Sequence, residues 1–337
     1  MNYKYLLFFF AVILMNAMIF SQEIENDNKR PSLKFWLVSS YDQYELNDEQ
    51  SYNSFMIKNA RIIANHQTDP NLSFHIMGEM IGSDKRPLLM QAWIQFKASK
   101  YLSFRMGQFK YPIGAEAYGP LTVWKFANPS YVTEGIIKKL GRQGSMFRDI
   151  GLEAAGKVPL SSSLSVAFKV MLMNGSGANN YDNDKNKNVV GFLGLNISKN
   201  IQIGSSYYVG SIIDSEKKLD ESAFGLQLKI KNKNYLAQAE YLRARHEQAI
   251  GIPDFNSAGY YISGAYMLPF NVEIGMRYDT FETESILNAN LRKSRTTLSL
   301  GYYFDSLNRI LFNYEHRNEN KDNNYERVLT FQLQAVF

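Results

Sequence analysis

Beyond a shorter apolar run near its start, this chain has no stretch of roughly eighteen apolar residues, the length a helix needs to cross a bilayer, yet its apolar residues return at every second position. Phe224, Leu226, Leu228 and Ile230 interleave with Gly225, Gln227, Lys229 and Lys231. Leu102, Phe104 and Met106 alternate with Ser103, Arg105 and Gly107 in the same way. Leu164, Val166, Phe168, Val170 and Leu172 oppose Ser163, Ser165, Ala167, Lys169 and Met171, and Val272, Ile274, Met276 and Tyr278 oppose Glu273, Gly275, Arg277 and Asp279. Successive strand side chains point to opposite faces, so each stretch makes a strand with one greasy and one wet face. Repeated to the end without long helical periodicity, the pattern predicts a single all-β domain. With 45% hydrophobic residues and a mean hydropathy of −0.30, that domain is either globular or a membrane β-barrel.

The breaks between strands separate these two outcomes. Tight breaks fall at Asp69-Pro70-Asn71, Ser99-Lys100, Pro159 to Ser162, Lys199-Asn200, Asn232 to Asn234, Pro269-Phe270 and Ser306 to Asn308. Longer polar stretches lie between them: Glu45 to Gln50, Gly82 to Pro87, Tyr111 to Ser145, Asn174 to Asn188, Ser211 to Glu221, His246 to Asn256, Glu282 to Asn290 and Asn318 to Asn324. Seven short turns alternating with eight long loops require sixteen strands. An even count, with all short connections at one end, predicts a 16-stranded antiparallel transmembrane β-barrel with both termini in the periplasm. Closure also removes the sheet edges that hydrocarbon cannot hydrogen-bond.

Both chain ends fit export to an outer membrane. Lys4 precedes an apolar run from Leu6 to Phe20 that is short for a membrane helix and meets small, polar residues at Ser21-Gln22, so residues 1–21 read as a cleaved signal peptide. Residues 22–32 form a short polar segment and residues 33–337 the barrel. In the last strand Leu329, Phe331, Leu333, Ala335 and Phe337 are apolar, while Thr330, Gln332 and Gln334 point the other way. This ending is similar to the aromatic-terminated final strand of bacterial outer-membrane proteins, which implies that Phe331, Leu333 and Phe337 are read by the barrel assembly machinery.

The run Gly107-Gln108-Phe109-Lys110-Tyr111-Pro112-Ile113-Gly114-Ala115-Glu116 resembles the strand-to-loop signature of the phosphate-selective porin O and P family of Gram-negative outer membranes. The segments Phe147 to Gly156, Leu172 to Gly177, Glu240-Tyr241, Gly259 to Tyr266 and Arg277 to Phe281 continue the likeness in order along nearly the whole chain. The resemblance implies a homotrimeric, water-filled channel in outer-membrane lipid, with an inward-folded third extracellular loop, that passes phosphate, other small anions or polar solutes. Some relatives carry a periplasmic coiled coil before the barrel, for which residues 22–32 are too short.

The stretch from Tyr111 to Ser145 is the longest loop, and an insert of that size is expected to be functional. From Lys110 to Asp149 the bases Lys110, Lys125, Lys138, Lys139, Arg142 and Arg148 outnumber the acids Glu116, Glu134 and Asp149, which would favour anions at a constriction. Strand parity turns Arg61, Arg105, Lys169, Arg277 and Arg295 inward, where guanidinium and ammonium groups attract anions. Glu79, Glu153, Glu240, Glu273 and Glu315 share that parity, so each base either serves the ion path or braces the wall through a cross-strand pair.

Other chemistries find little support. The formal charge of +5 comes from 37 basic residues mixed with 32 acidic ones, unlike a nucleic-acid stripe. Without cysteine there is no disulfide, thiolate nucleophile or Cys-ligated metal. No Gly-x-Ser-x-Gly turn occurs, and His66, His75, His246 and His316 lack zinc spacing, so neither an enzyme nor a cofactor is expected. Asp182, Asp184 and Asn186 imitate the start of a calcium loop, but Lys187 and Leu193 stand where Gly and Glu are needed.

Overall fold

The computed structural model describes residues 31–46, 51–81, 89–137, 140, 147–182, 185–214, 217–247, 254–284, 291–319 and 324–337. The expected signal peptide and most of the polar segment after it lie outside the described residues. Among those described there are sixteen strands. They are β1 (Ser32–Leu46), β2 (Tyr52–Asp69), β3 (Leu72–Glu79), β4 (Leu89–Lys97), β5 (Leu102–Lys110), β6 (Arg148–Pro159), β7 (Ser165–Met173) and β8 (Asn188–Asn196). The second half comprises β9 (Ile201–Asp214), β10 (Lys217–Lys231), β11 (Tyr235–His246), β12 (Phe255–Met267), β13 (Val272–Thr283), β14 (Leu291–Tyr303), β15 (Arg309–Glu319) and β16 (Asn324–Val336). Each strand pairs antiparallel with its neighbours in sequence, and β1 pairs with β16 from Trp36↔Val336 to Leu46↔Glu326, so the sheet closes on itself. At the seam Phe35 N–H donates to Phe337 O at 2.6 Å and the two rings stack 5.3 Å apart.

The faces of this sheet are inverted relative to a water-soluble sandwich. On β16, Phe331 and Leu333 are 43% and 47% exposed, whereas Thr330 is fully buried and Gln332 and Gln334 nearly so. On β14 the apolar Leu298, Leu300 and Tyr302 are exposed while Arg295, Thr297 and Ser299 are buried. An outer belt of apolar side chains around a polar interior is stable in hydrocarbon, where every backbone group is paired within the closed ladder. No helix of the described residues is long and apolar enough to cross a membrane.

All fifteen connections fall where the alternation breaks, with one difference in extent. The polar stretch Ser211 to Glu221, expected as a long loop, is mostly strand, because the β9–β10 ladder runs on to Asp214↔Lys217. Side-chain polarity hides such an extension, since backbone pairing continues wherever two strands stay in register. The connection after β5 is not featureless either. It carries a short helix, α1 (Ala115–Tyr118), a 3-10 turn (Leu121–Val123) and a π-helical turn (Thr133–Ile137).

Candidate functional site

The five bases assigned inward parity sit on the polar face, Arg61 on β2, Arg105 on β5, Lys169 on β7, Arg277 on β13 and Arg295 on β14. Four of them are tied to carboxylates. Arg61 Nε lies 2.8 Å from Glu79 Oε2, with its guanidinium over the Trp36 ring. Arg105 Nη2 lies 2.8 Å from Glu153 Oε1, with its guanidinium 4.0 Å above the Phe109 ring. Arg277 meets Asp279 and Glu116 at 3.1 Å each, and Arg295 meets Asp279 at 3.1 Å and Glu315 at 3.3 Å. Arg317 adds contacts to Glu315 at 2.6 Å and Glu326 at 3.0 Å. Around β13 to β16 the three arginines Arg277, Arg295 and Arg317 therefore meet the four carboxylates Glu116, Asp279, Glu315 and Glu326, which leaves no surplus of positive charge there. Arg277 and Arg295 are each 1% exposed and face protein groups rather than open water.

What these arginines hold is the segment after β5. Arg277 donates to Asn128 O at 3.0 Å and Arg295 to Pro129 O at 2.5 Å, while Asp279 accepts from Tyr131 N–H at 2.7 Å. Asn313 accepts from Ala127 N–H at 2.7 Å, and Gln334 donates to Thr122 O at 3.0 Å. Glu240 on β11 accepts from the Ala115 and Glu116 amides at the start of α1, supplying from a distant strand the oxygen that a local capping residue ordinarily provides. Ile136 and Leu140 pack into an apolar cluster with Met171, Val190, Tyr208 and Leu242 of the strands.

The loop bases do not form a free positive surface at the described positions. Lys110 is buried at the end of β5 and donates to Ala117 O at 2.7 Å and Gly119 O at 2.6 Å, so its ammonium fastens the C-terminal end of α1. Lys125 reaches Glu273 at 2.5 Å. A flexible ammonium loses less by joining a buried carboxylate or carbonyl than the unpaired oxygen would cost, which is why both turn to the wall. Lys138, Lys139 and Arg142 lie outside the described residues.

Lys169 behaves differently, and Lys229 on β10 with it. Neither has a carboxylate partner among the described residues, and both border a cavity of about 220 Å³ beside α1. Phe192, Gln202, Gln227 and Tyr118 are among the residues that line it. Lys229 and Gln227 were visible in the alternation as the wet face of β10. Phe192 and Tyr118 carried no signal, because an aromatic on a polar face or in a loop is indistinguishable from packing in one dimension.

Phe331 and Leu333 lie on the exposed face of β16, and Phe337, 73% exposed, ends the chain at the seam.

The model of the family described as phosphate-selective porin O and P matches residues 32–337. None of the curated proteins compared with the chain matches it. Among solved structures, the anion-selective porin from Comamonas acidovorans superposes with a TM-score of 0.69 at 10% identity, covering 91% of this chain and 100% of its own. The outer membrane channel DcaP of Acinetobacter baumannii gives 0.64 at 10% identity, over 93% and 99% of the two chains. The trimer form of OmpT, an outer membrane protein of Vibrio cholerae, gives 0.62 at 14% identity, over 90% and 99%. At such identities the likeness is one of fold.

Proposed function

Since the chain belongs to the phosphate-selective porin O and P family, and is thus an outer-membrane porin of a Gram-negative bacterium, we propose that it passes small anions passively, with the preference arising from Lys169 and Lys229 rather than from the arginine ladder. The carrying observation is charge compensation: Arg61, Arg105, Arg277 and Arg295 are paired with carboxylates, whereas these two ammonium groups have no carboxylate partner among the described residues. Uncompensated charge in a narrow, low-dielectric passage attracts counter-ions across several ångströms, and a compensated pair does so weakly. In this reading the segment after β5 folds into the barrel as its constriction. Its bonds to Asp279, Glu240, Asn313 and Gln334, all on the polar face, support that placement.

Assembly as a homotrimer in outer-membrane lipid belongs to the same proposal, as do recognition of Phe331, Leu333 and Phe337 by the assembly machinery and removal of residues 1–21. The trimer form of the Vibrio cholerae relative supports the first. A closed-lumen structural barrel is the alternative favoured by one feature, the apolar cluster that the loop shares with the strands. Reversal potentials in a potassium chloride gradient across planar bilayers discriminate between them. Anion selectivity is expected, shifting toward cations in the Lys169→Met, Lys229→Met double variant. Silent bilayers would favour the structural barrel, and unaltered selectivity in the double variant would move the anion preference elsewhere.

A further inference from the structure

The cavity beside α1 is built from an unusual combination for a polar wall. Gly194 on β8 pairs with Gly204 on β9, and the Phe192 ring occupies the space above both: a Cβ at Gly194 would lie 2.8 Å from ring atom Cζ, and one at Gly204 would lie 2.7 Å from Cε2. Two facing glycines thus let an aromatic ring settle onto the sheet instead of standing out from it. Across the cavity the Tyr118 ring is held by its hydroxyl, which accepts from Arg105 Nη2 at 3.3 Å. Lys169 Nζ sits 3.7 Å from the centroid of Tyr118 and 5.9 Å from that of Phe192. One ammonium therefore spans a ring on the wall and a ring on the loop, with Lys229 lining the same space.

We propose that this cavity is a solute subsite for small organic monoanions whose body is a ring. The inference rests on the anion-channel reading and narrows it to a solute class. The carboxylate lies between Lys169 and Lys229, and the ring lies over Phe192. Gln227, whose side chain makes no hydrogen bond among the described residues, serves a polar substituent. A compact inorganic oxyanion is matched less well. It needs several converging donors, and the Ala115 amide that borders the cavity is already donated to Glu240. An aromatic wall returns nothing for the water stripped from such an ion, whereas it stacks on a ring.

The test uses the full-length protein in planar bilayers carrying chloride current, with benzoate, glucuronate, acetate and inorganic phosphate added in turn. A ring anion is expected to halve the current at a concentration about fivefold below that of acetate, the size of one aromatic contact. Block by benzoate marks an aryl acid, and block by glucuronate marks a carbohydrate acid; each supports the subsite. Phe192→Leu keeps an apolar side chain over the two glycines, removes the aromatic face, and is expected to abolish the advantage over acetate. Its folding is checked by the heat-dependent mobility shift of the barrel on gels. Equal block by acetate and both ring anions, stronger block by phosphate, or a ring-anion advantage that survives Phe192→Leu overturns the subsite while chloride selectivity stands. A cation-selective reversal potential in the unaltered protein instead overturns the channel reading beneath it.

Discussion

At the scale of single residues, parity says where a side chain points and its partners say what it does there. Arg105 and Lys169 share a wet face and a positive charge, yet one is neutralised by Glu153 at 2.8 Å and the other is not. Asp279 is a buried carboxylate shared by wall and loop, taking bonds from Arg277, Arg295 and the Tyr131 amide. Asp279→Asn preserves its shape and removes its charge, leaving two buried guanidinium groups short of a partner. Breaking a buried ion pair from one side costs about 3–5 kcal/mol, so the variant is expected to unfold at lower denaturant concentration. Released from its anchor, the segment after β5 should also give a larger single-channel conductance. An unchanged unfolding midpoint would mean that the cluster does not fasten the loop.

At the scale of elements, short turns and the last strand carry separable predictions. The β14–β15 turn is closed by Asp305, whose carboxylate accepts from the Leu307 and Asn308 amides at 2.8 Å each and from the Asn308 side chain at 2.6 Å. Those amides, first that of Leu307, hold the Asp305 carboxyl below its ordinary value of 3.8. A depressed carboxyl binds protons more weakly when folded than when unfolded, so its contribution is present above the ordinary value and lost as pH falls through the folded one. Amide exchange in this turn is therefore expected to be faster in Asp305→Ala than in the parent at neutral pH, with the difference disappearing in strong acid. At the C-terminus Phe337→Ser leaves the β1–β16 ladder intact and removes one exposed ring. Less protease-resistant barrel in isolated outer membranes, with unaltered refolding of the purified variant in detergent, is the result expected of an assembly signal. A loss in both would make the ring a stability element.

For the whole molecule, closure is the property on which every inward assignment depends. Deleting residues 324–337 removes β16 and exposes the pairing edges of β1 and β15 at once, and hydrocarbon offers those edges no substitute partners. Such a truncation is expected to yield no folded barrel in detergent, read as loss of the heat-dependent mobility shift and of strand signal by circular dichroism. The sequence by itself determined the strand count, the places where strands break, the lipid and lumen faces and the family. Each of these is written locally, in a period of two or in a cluster of turn residues. Only the tertiary structure decided which inward charges are spent on one another, because the partners meet across the barrel: Arg277 finds Glu116 over a separation of 161 residues, and Ala115 finds Glu240 over 125. The pairing of Gly194 with Gly204 beneath Phe192 is likewise invisible until β8 and β9 are in register. Periodicity fixes direction, whereas compensation of charge depends on distance, and distances between remote residues exist only once the sheet has closed.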